Sequence, residues 1–305
     1  QILAGVFSGA AGGIAGYFAG GTDAGGNLSA IDRIAFPADT KTTLSATLSS
    51  VTFAGVGFAN SGVAGYVAGG QDGGGGTSKI DKLSFPAETR STLSATLTAA
   101  TSFGAGFANS SVAGYYGGGF GMGTSIDKIS FPADTKSTLA ATLTGAVQFF
   151  AGMANSGVAG YFGGGGAPVD RIDKITFPAD TKSTLAATLT STSEYHCGFA
   201  DYGVAGYIAG GQDAAATPLD RIDKIAYPSD TKSTLAATLA TANTQSPAGF
   251  ADTGVAGYIA GSFSTVRLDR VDKIAFPADT RSTLSAVLTT ATRRINCGFA
   301  DCGVI

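Results

Sequence analysis

Apolar and polar positions along this chain come in short bursts, either alternating or as brief apolar runs, and no stretch shows a capped 3.6-residue stripe. That pattern predicts β-strands and minimal helix. Around residue 200 four bursts follow in order. Cys197-Gly-Phe-Ala-Asp-Tyr-Gly203 is a short apolar run ending in an Asx-x-Gly turn, and Val204-Ala-Gly-Tyr-Ile-Ala-Gly-Gly211 follows at once. Such a turn between two apolar runs signals a hairpin, because Asn, Asp and Gly tolerate left-handed backbone. After a loop, Arg221-Ile-Asp-Lys-Ile-Ala-Tyr227 alternates as a half-buried strand does. Pro228-Ser-Asp-Thr231 reads as a turn and Thr234-Leu-Ala-Ala-Thr-Leu239 as a fourth strand.

The same four bursts recur along the chain. The β-branched residue that opens the Ala-Gly-Tyr phrase falls at Ile14, Val63, Val112, Val158, Val204 and Val255, with a clipped seventh at Val304. Those spacings are 49, 49, 46, 46, 51 and 49 residues. A period of that size marks propeller blades, being too long for one β-helix coil and lacking the helices of α-solenoids. Small apolar residues occur at both parities in the second and fourth strands, so each sheet must hide both faces. Packing blades around an axis does this, and closing the ring protects the edges. The expected fold is an all-β, six-bladed propeller over residues 13–305, four antiparallel strands per blade, with 1–12 as an N-terminal segment serving as linker or partner contact. Blade one lacks a well-matching first strand ahead of Ile14. Cys297–Gly303 is therefore expected to supply it beside Ile14–Gly20, joining the two ends of the chain.

Composition narrows the function. Charged residues make up 13% of the chain and the net charge is −3, so no basic face for nucleic acid is implied. No segment approaches 18 unbroken apolar residues, so no membrane insertion is expected. There is one histidine, His196, and no tryptophan. The three cysteines, Cys197, Cys297 and Cys302, are an odd number, which rules out a complete disulfide framework. Small buried packing residues are the expectation, with a Cys297–Cys302 hairpin bridge as the alternative. The chain opens on Gln1 with no basic start or long apolar core, so it does not read as a signal peptide.

The repeated polar residues look structural. Asp32, Asp81, Asp127, Asp173, Asp223 and Asp272 precede a Lys or Arg in every third strand. They are expected to make one contact six times, to a turn or a neighbouring blade, rather than to converge on a metal. Asp39, Glu88, Asp134, Asp180, Asp230 and Asp279 are expected to cap their own Pro-x-(Asp/Glu)-Thr turns. Tyr17, Tyr66, Tyr115, Tyr161, Tyr207 and Tyr258 should be core between blades, with the hydroxyl reaching a partner at the rim. Glycine clusters such as Gly73–Gly76 lack the Lys-Ser/Thr of a phosphate loop. His196 and Cys197 are neighbours, but adjacent strand residues point to opposite faces, so no nucleophilic pair is expected. No catalytic residues, cofactor or metal are therefore assigned.

At these residues the chain resembles kelch repeats. The hydrophobic run plus double glycine and the third strand with its aspartate-rich turn match the kelch pattern, while leucine (Leu44, Leu93, Leu139, Leu185, Leu235, Leu284) stands where kelch repeats carry tryptophan. The Gly-Tyr-Phe-Gly-Gly and Ile-Asp-(Lys/Arg)-Ile-x-Phe wording also resembles repeats in virion and tail structural proteins of phages of aquatic bacteria. The resemblance implies a non-enzymatic structural or attachment module of a virion or an extracellular location, binding a host-surface glycan or a protein partner in a larger assembly. The alternative is a bacterial surface or secreted lectin-like adhesin. Kelch-like oxidases need metal ligands that one histidine cannot supply.

In an up-and-down blade, the loop between strands two and three emerges on the same side as the loop entering the next blade's first strand. These are the stretches that vary between copies, and recognition usually resides in such loops. The expected ligand or partner surface is therefore Phe53, Phe103, Phe149, Phe150, Glu194, Tyr195, His196, Gln245, Arg293, Arg294 and Asn296, ringing the mouth of the central channel.

Overall fold

The computed structural model describes residues 14–166, 169–242, 247–262, 267–292 and 297–302. They form six four-stranded antiparallel blades in a ring. Blade three shows the plan, with strands Ala105–Asn109, Ala113–Gly117, Ile126–Ser130 and Thr135–Thr138 running from the axis outward. Its register aligns Phe107, Tyr115, Lys128 and Ser137 across the sheet. The innermost strand of each blade packs against those of its two neighbours.

Ring closure joins the two ends of the chain. Gly298–Ala300 pairs with Ala15–Ala19 as the first strand of blade one, Phe299 opposite Tyr17. Ala19 N donates to Cys297 O (3.1 Å) and Asp301 N to Ala15 O (3.0 Å), completing the ladder. Residues 1–12 lie outside the described residues.

The fourth strand differs from expectation. In blade five it is Thr231–Thr234, not Thr234–Leu239. Leu235 N still donates to Ile222 O (2.9 Å) and Leu239 N to Asp220 O (2.7 Å), but the regular ladder stops between them. A ladder needs a partner, and the third strand begins only at Ile222. Blade six supports this reason. There the third strand is lengthened to Leu268–Ala275, and the fourth runs on as Thr280–Thr292, with Arg270 opposite Val287.

The core lies between blades, and the Ala-Gly-Tyr phrase builds it. Adjacent strand residues face opposite ways, so Gly65 faces the preceding blade and Tyr66 the following one. A Cβ on Gly65 would overlap the ring of Phe299. Tyr66 lies between Phe58 of its own blade (5.4 Å between ring centroids) and Phe131 of the next (5.1 Å). Aromatic pairs of this kind add about 0.5–1.5 kcal/mol beyond their buried area. Blade four varies the theme as a pair of changes. Met153 replaces the first-strand Phe, and Tyr227 replaces the next blade's pre-proline Phe, stacking on Tyr161 at 5.3 Å. The Tyr227 hydroxyl is buried without a hydrogen-bond partner.

The hydroxyl of each Ala-Gly-Tyr tyrosine ends in a clamp. Tyr66 Oη donates to Asp134 Oδ1 in the next blade's turn (2.8 Å), and Lys82 Nζ to Asp134 Oδ2 (2.6 Å). The same triad joins Tyr115, Lys128 and Asp180; Tyr161, Lys174 and Asp230; and Tyr207, Lys224 and Asp279. Tyr258, Lys273 and Asp39 fasten blade six to blade one. At the junction of blades one and two, both charged partners change together. Glu88 replaces Asp and Arg33 replaces Lys, with Arg33 Nε 2.8 Å from Glu88 Oε1 and Tyr17 Oη donating to the same oxygen (2.9 Å). The turn carboxylates thus bind the preceding blade through their side chains, where the sequence suggested a local cap. Burial first, and the carboxylate bond second, push the Tyr66, Tyr115, Tyr161, Tyr207 and Tyr258 phenols well above their ordinary value.

The third-strand aspartates make the opposite connection. Asp127 accepts Thr98 N and Thr98 Oγ1 of the preceding blade (both 2.7 Å) and Thr138 Oγ1 of its own fourth strand (2.7 Å). Asp32, Asp81, Asp173, Asp223 and Asp272 hold the equivalent backbone N–H of the blade before them. At Asp173 and Asp223 burial disfavours the charge, yet the Thr144 and Thr190 backbone bonds and the threonine hydroxyls outweigh it and hold both carboxyls below their ordinary value. Asp and the following Lys therefore bolt one blade to both neighbours.

Candidate functional site

The loops that vary between copies share one face of the ring, where Phe53 and Gln71 exchange backbone hydrogen bonds (3.1 and 2.8 Å) across the two loop types of blade two. Just before the first strands of blades two to five the chain passes through left-handed backbone. Ala54, Phe103, Phe149 and Tyr195 occupy this position in blades two to five, with φ of 57°, 59°, 61° and 64°. These residues are linked around the axis. Phe103 N donates to Ala54 O (3.0 Å), Phe149 N to Phe103 O (2.8 Å) and Tyr195 N to Phe149 O (2.6 Å). Glycine or asparagine suits such backbone best. Three consecutive blades instead place a large aromatic there.

The side chains form a continuous arc. Phe103 meets Phe53 at 5.8 Å between centroids and Phe149 at 4.6 Å, and Phe149 meets Tyr195 at 4.2 Å. Phe120, from the second-to-third loop of blade three, packs edge-on to Phe103 (5.7 Å) and Phe149 (5.4 Å) and is 50% exposed. Phe53, Phe149 and Tyr195 are half-buried, while Phe103 is buried as the hub of the arc. The sequence reading missed Phe120, whose signal is a lone aromatic inside the glycine-rich run Gly117–Gly123. Counted back from the first-strand Phe58 and Phe107, the equivalent of Phe103 is Ala54, and Phe53 lies one residue earlier.

Glu194 borders the arc. Ser193–Glu194 pairs with Gln212–Asp213 in a two-stranded ribbon, and Gln212 Nε2 donates to Glu194 Oε1 (2.9 Å). The next residues along turn away from the surface. Phe150 is buried against Phe162 (5.6 Å), and His196 takes the corresponding position in blade five at 4% exposure. His196 Nδ1–H donates to Gly210 O (2.8 Å), which leaves Nε2 to accept from the Ser193 hydroxyl (3.0 Å). Arg221 Nη2 donates to the same Ser193 oxygen (3.1 Å). Burial lowers the His196 pKa to about 4, opposed only in part by the backbone of Gly210 and of Ser193, so the ring is neutral near pH 7. Phe150 and His196 therefore support the arc from beneath. Gln245, Arg293, Arg294 and Asn296 lie outside the described residues.

Below the arc the axis is nearly filled. Gly57, Gly106, Gly152, Gly198, Gly249 and Gly298 line a void of about 40 Å³. A Cβ on Gly57, Gly152, Gly198 or Gly298 would run into the backbone of the adjacent first strand. Ligand pockets commonly occupy about 300–1,000 Å³, so among the described residues the axis encloses no cavity of that size. All three cysteines are buried free thiols, and burial pushes Cys197 and Cys302 up to about 12, which makes them inert. Among the described residues no group of three or more His, Cys, Asp or Glu side chains is placed to hold a metal ion.

No protein-family model matches the chain. Nor does any curated protein match it significantly in sequence.

Proposed function

We propose that this propeller is a non-catalytic attachment module, with the variable-loop face as its recognition surface and a host-surface glycan as its ligand. The observation that carries this reading is the arc of Phe103, Phe149 and Tyr195 on left-handed backbone, with Phe120 half-exposed beside it. Backbone of this kind disfavours large side chains and clusters at binding sites. Here it turns three aromatic residues toward one another around the axis. Aromatic faces next to a carboxylate and an amide, Glu194 and Gln212, suit a sugar ring, which presents apolar C–H faces and hydroxyl edges. The kelch-like wording and its likeness to virion repeats support placement in a phage virion or tail; an adhesin on a bacterial surface would use the same face.

A glycan array probed with the parent protein and with Phe120→Ala/Tyr195→Ala tests the reading. Binding by the parent, lost in the variant while the melting temperature stays within about 1 °C, is the expected result. Glycan binding that survives the double change but disappears on altering the Asp134 and Asp180 turns would place recognition on the other face. A parent protein that captures no glycan would sink the ligand assignment.

A further inference from the structure

Ile14, Val63, Val112, Val158, Val204 and Val255 form a ring of exposed aliphatic side chains on the face opposite the variable loops, at 61%, 45%, 45%, 44%, 46% and 41% exposure. The five valines sit where the hairpin between strands one and two ends, and Ile14 holds the same place in blade one, whose first strand comes from the other end of the chain. The fold asks only for extended backbone there, as Val63 N donates to Asn60 O (3.0 Å) and Val63 O accepts Phe85 N (2.8 Å). Threonine would meet that demand equally well while hydrating its side chain. This chain uses threonine for exposed strand positions elsewhere, as at Thr89, Thr92, Thr135 and Thr138. All six copies nevertheless carry Ile or Val at the ring position. An aliphatic residue repeated at six exposed, symmetry-related places points to burial against a partner.

We propose that this face is a self-association surface, on which a second copy of the chain docks ring to ring. Six equivalent aliphatic contacts can all be met at once only by a surface with the same rotational arrangement, and such a surface exists on this face itself. A two-fold axis lying across the ring makes the contact isologous and closed. Charge permits the approach, because the six turn carboxylates are each paired with a Lys or Arg of the preceding blade. The remaining carboxylates of this face are buried just beneath it, at 3–6% exposure, and fall on one side. Asp201, Asp252 and Asp301 end the first strands of blades five, six and one, while Asn60, Asn109 and Asn155 end those of blades two, three and four. A two-fold axis along the border between these halves lays the Asp half of one copy over the Asn half of the other and keeps like charges apart. This inference is independent of the glycan reading, which concerns the opposite face.

Light scattering of the full chain over a range of protein concentrations tests it, alongside Val112→Asp/Val158→Asp/Val204→Asp. The parent should dimerise, and the triple variant should raise the dimer dissociation constant by at least about 100-fold, since three carboxylates would be forced into an apolar contact. Val112→Thr/Val158→Thr/Val204→Thr keeps the branched shape and should weaken association by roughly 10-fold, with the melting curve unchanged at concentrations where both proteins are monomeric. Val287→Asp alters an equally exposed valine (44%) on the outer strand of blade six and should leave the dimer intact. A parent that stays monomeric at every concentration, or a dimer that survives both triple changes, overturns the proposal. So does a dimer broken by Phe120→Ala, which would place the contact on the variable-loop face.

Discussion

The two faces of this ring are built from the same number of loops on the same scaffold, yet one is nearly invariant between copies and the other is not. The difference lies in where the side chains find their partners. On the invariant face Asp134 belongs to blade three, but its partners Tyr66 and Lys82 belong to blade two. A change in one copy must be answered in its neighbour, as Glu88 is by Arg33. On the variable face the blades are tied by backbone, from Ala54 through Phe103 and Phe149 to Tyr195, so no side chain of a neighbouring blade must match a change there. Sequence can diverge one copy at a time, within the cost that left-handed backbone sets on a large side chain. The arrangement separates holding the ring together from presenting residues to a ligand.

The strongest way to break the comparison is to open the ring, on which both faces depend. Removing residues 297–305 takes away the first strand of blade one and the phenyl ring of Phe299 that stacks on Tyr17 at 5.2 Å. The truncated chain should fail to fold cooperatively or melt at least about 15 °C lower by differential scanning calorimetry. Equal melting would refute closure through this strand.

Acid should act on the variable face through its one buried histidine. The His196 pKa is lowered from 6.5 to about 4 in the folded chain, so the unfolded chain binds a proton first. Stability linked to this residue is complete above pH 6.5 and is lost as the pH falls toward 4, by about 3 kcal/mol. Urea midpoints measured across that interval should fall more steeply for the parent than for His196→Gln. Parallel curves would remove the buried-imidazole account.

The invariant face should respond to single changes and recover with paired ones. Asp134→Asn leaves Lys82 without its counter-ion and should cost about 2 kcal/mol in chemical denaturation. At the first junction, Arg33→Lys and Glu88→Asp should each destabilise by about 1 kcal/mol, and together recreate the common clamp with most of the loss recovered. Strict additivity of the two losses would show that the charged partners do not act as a pair. Tyr227→Phe deletes a buried hydroxyl with no partner and should raise stability by roughly 1 kcal/mol. The smallest effect belongs to the variable face, where Phe120→Ala should change folding stability by only about 0.5 kcal/mol, because the side chain is half in solvent.

The sequence by itself determined the blade count, the strand order and the closure of blade one, since these follow from a repeat period and from which phrase is missing at one end and surplus at the other. It also determined which face varies, because loop order along an antiparallel sheet dictates the side on which each loop emerges. Only the tertiary structure decided the partners. The Pro-x-Asp turns look self-capping in sequence, because an Asx turn and a clamp to another blade use the same residue. The arc was legible as aromatic loops, but its membership was not. A one-residue stagger moved Phe53 out of the left-handed position, Phe120 joined from a different loop, and His196 turned inward to bond Gly210. The physical reason is common to all of these. Period and order along a chain set which strands are neighbours, whereas contacts between blades depend on the packing of surfaces far apart in sequence, which a local pattern does not encode.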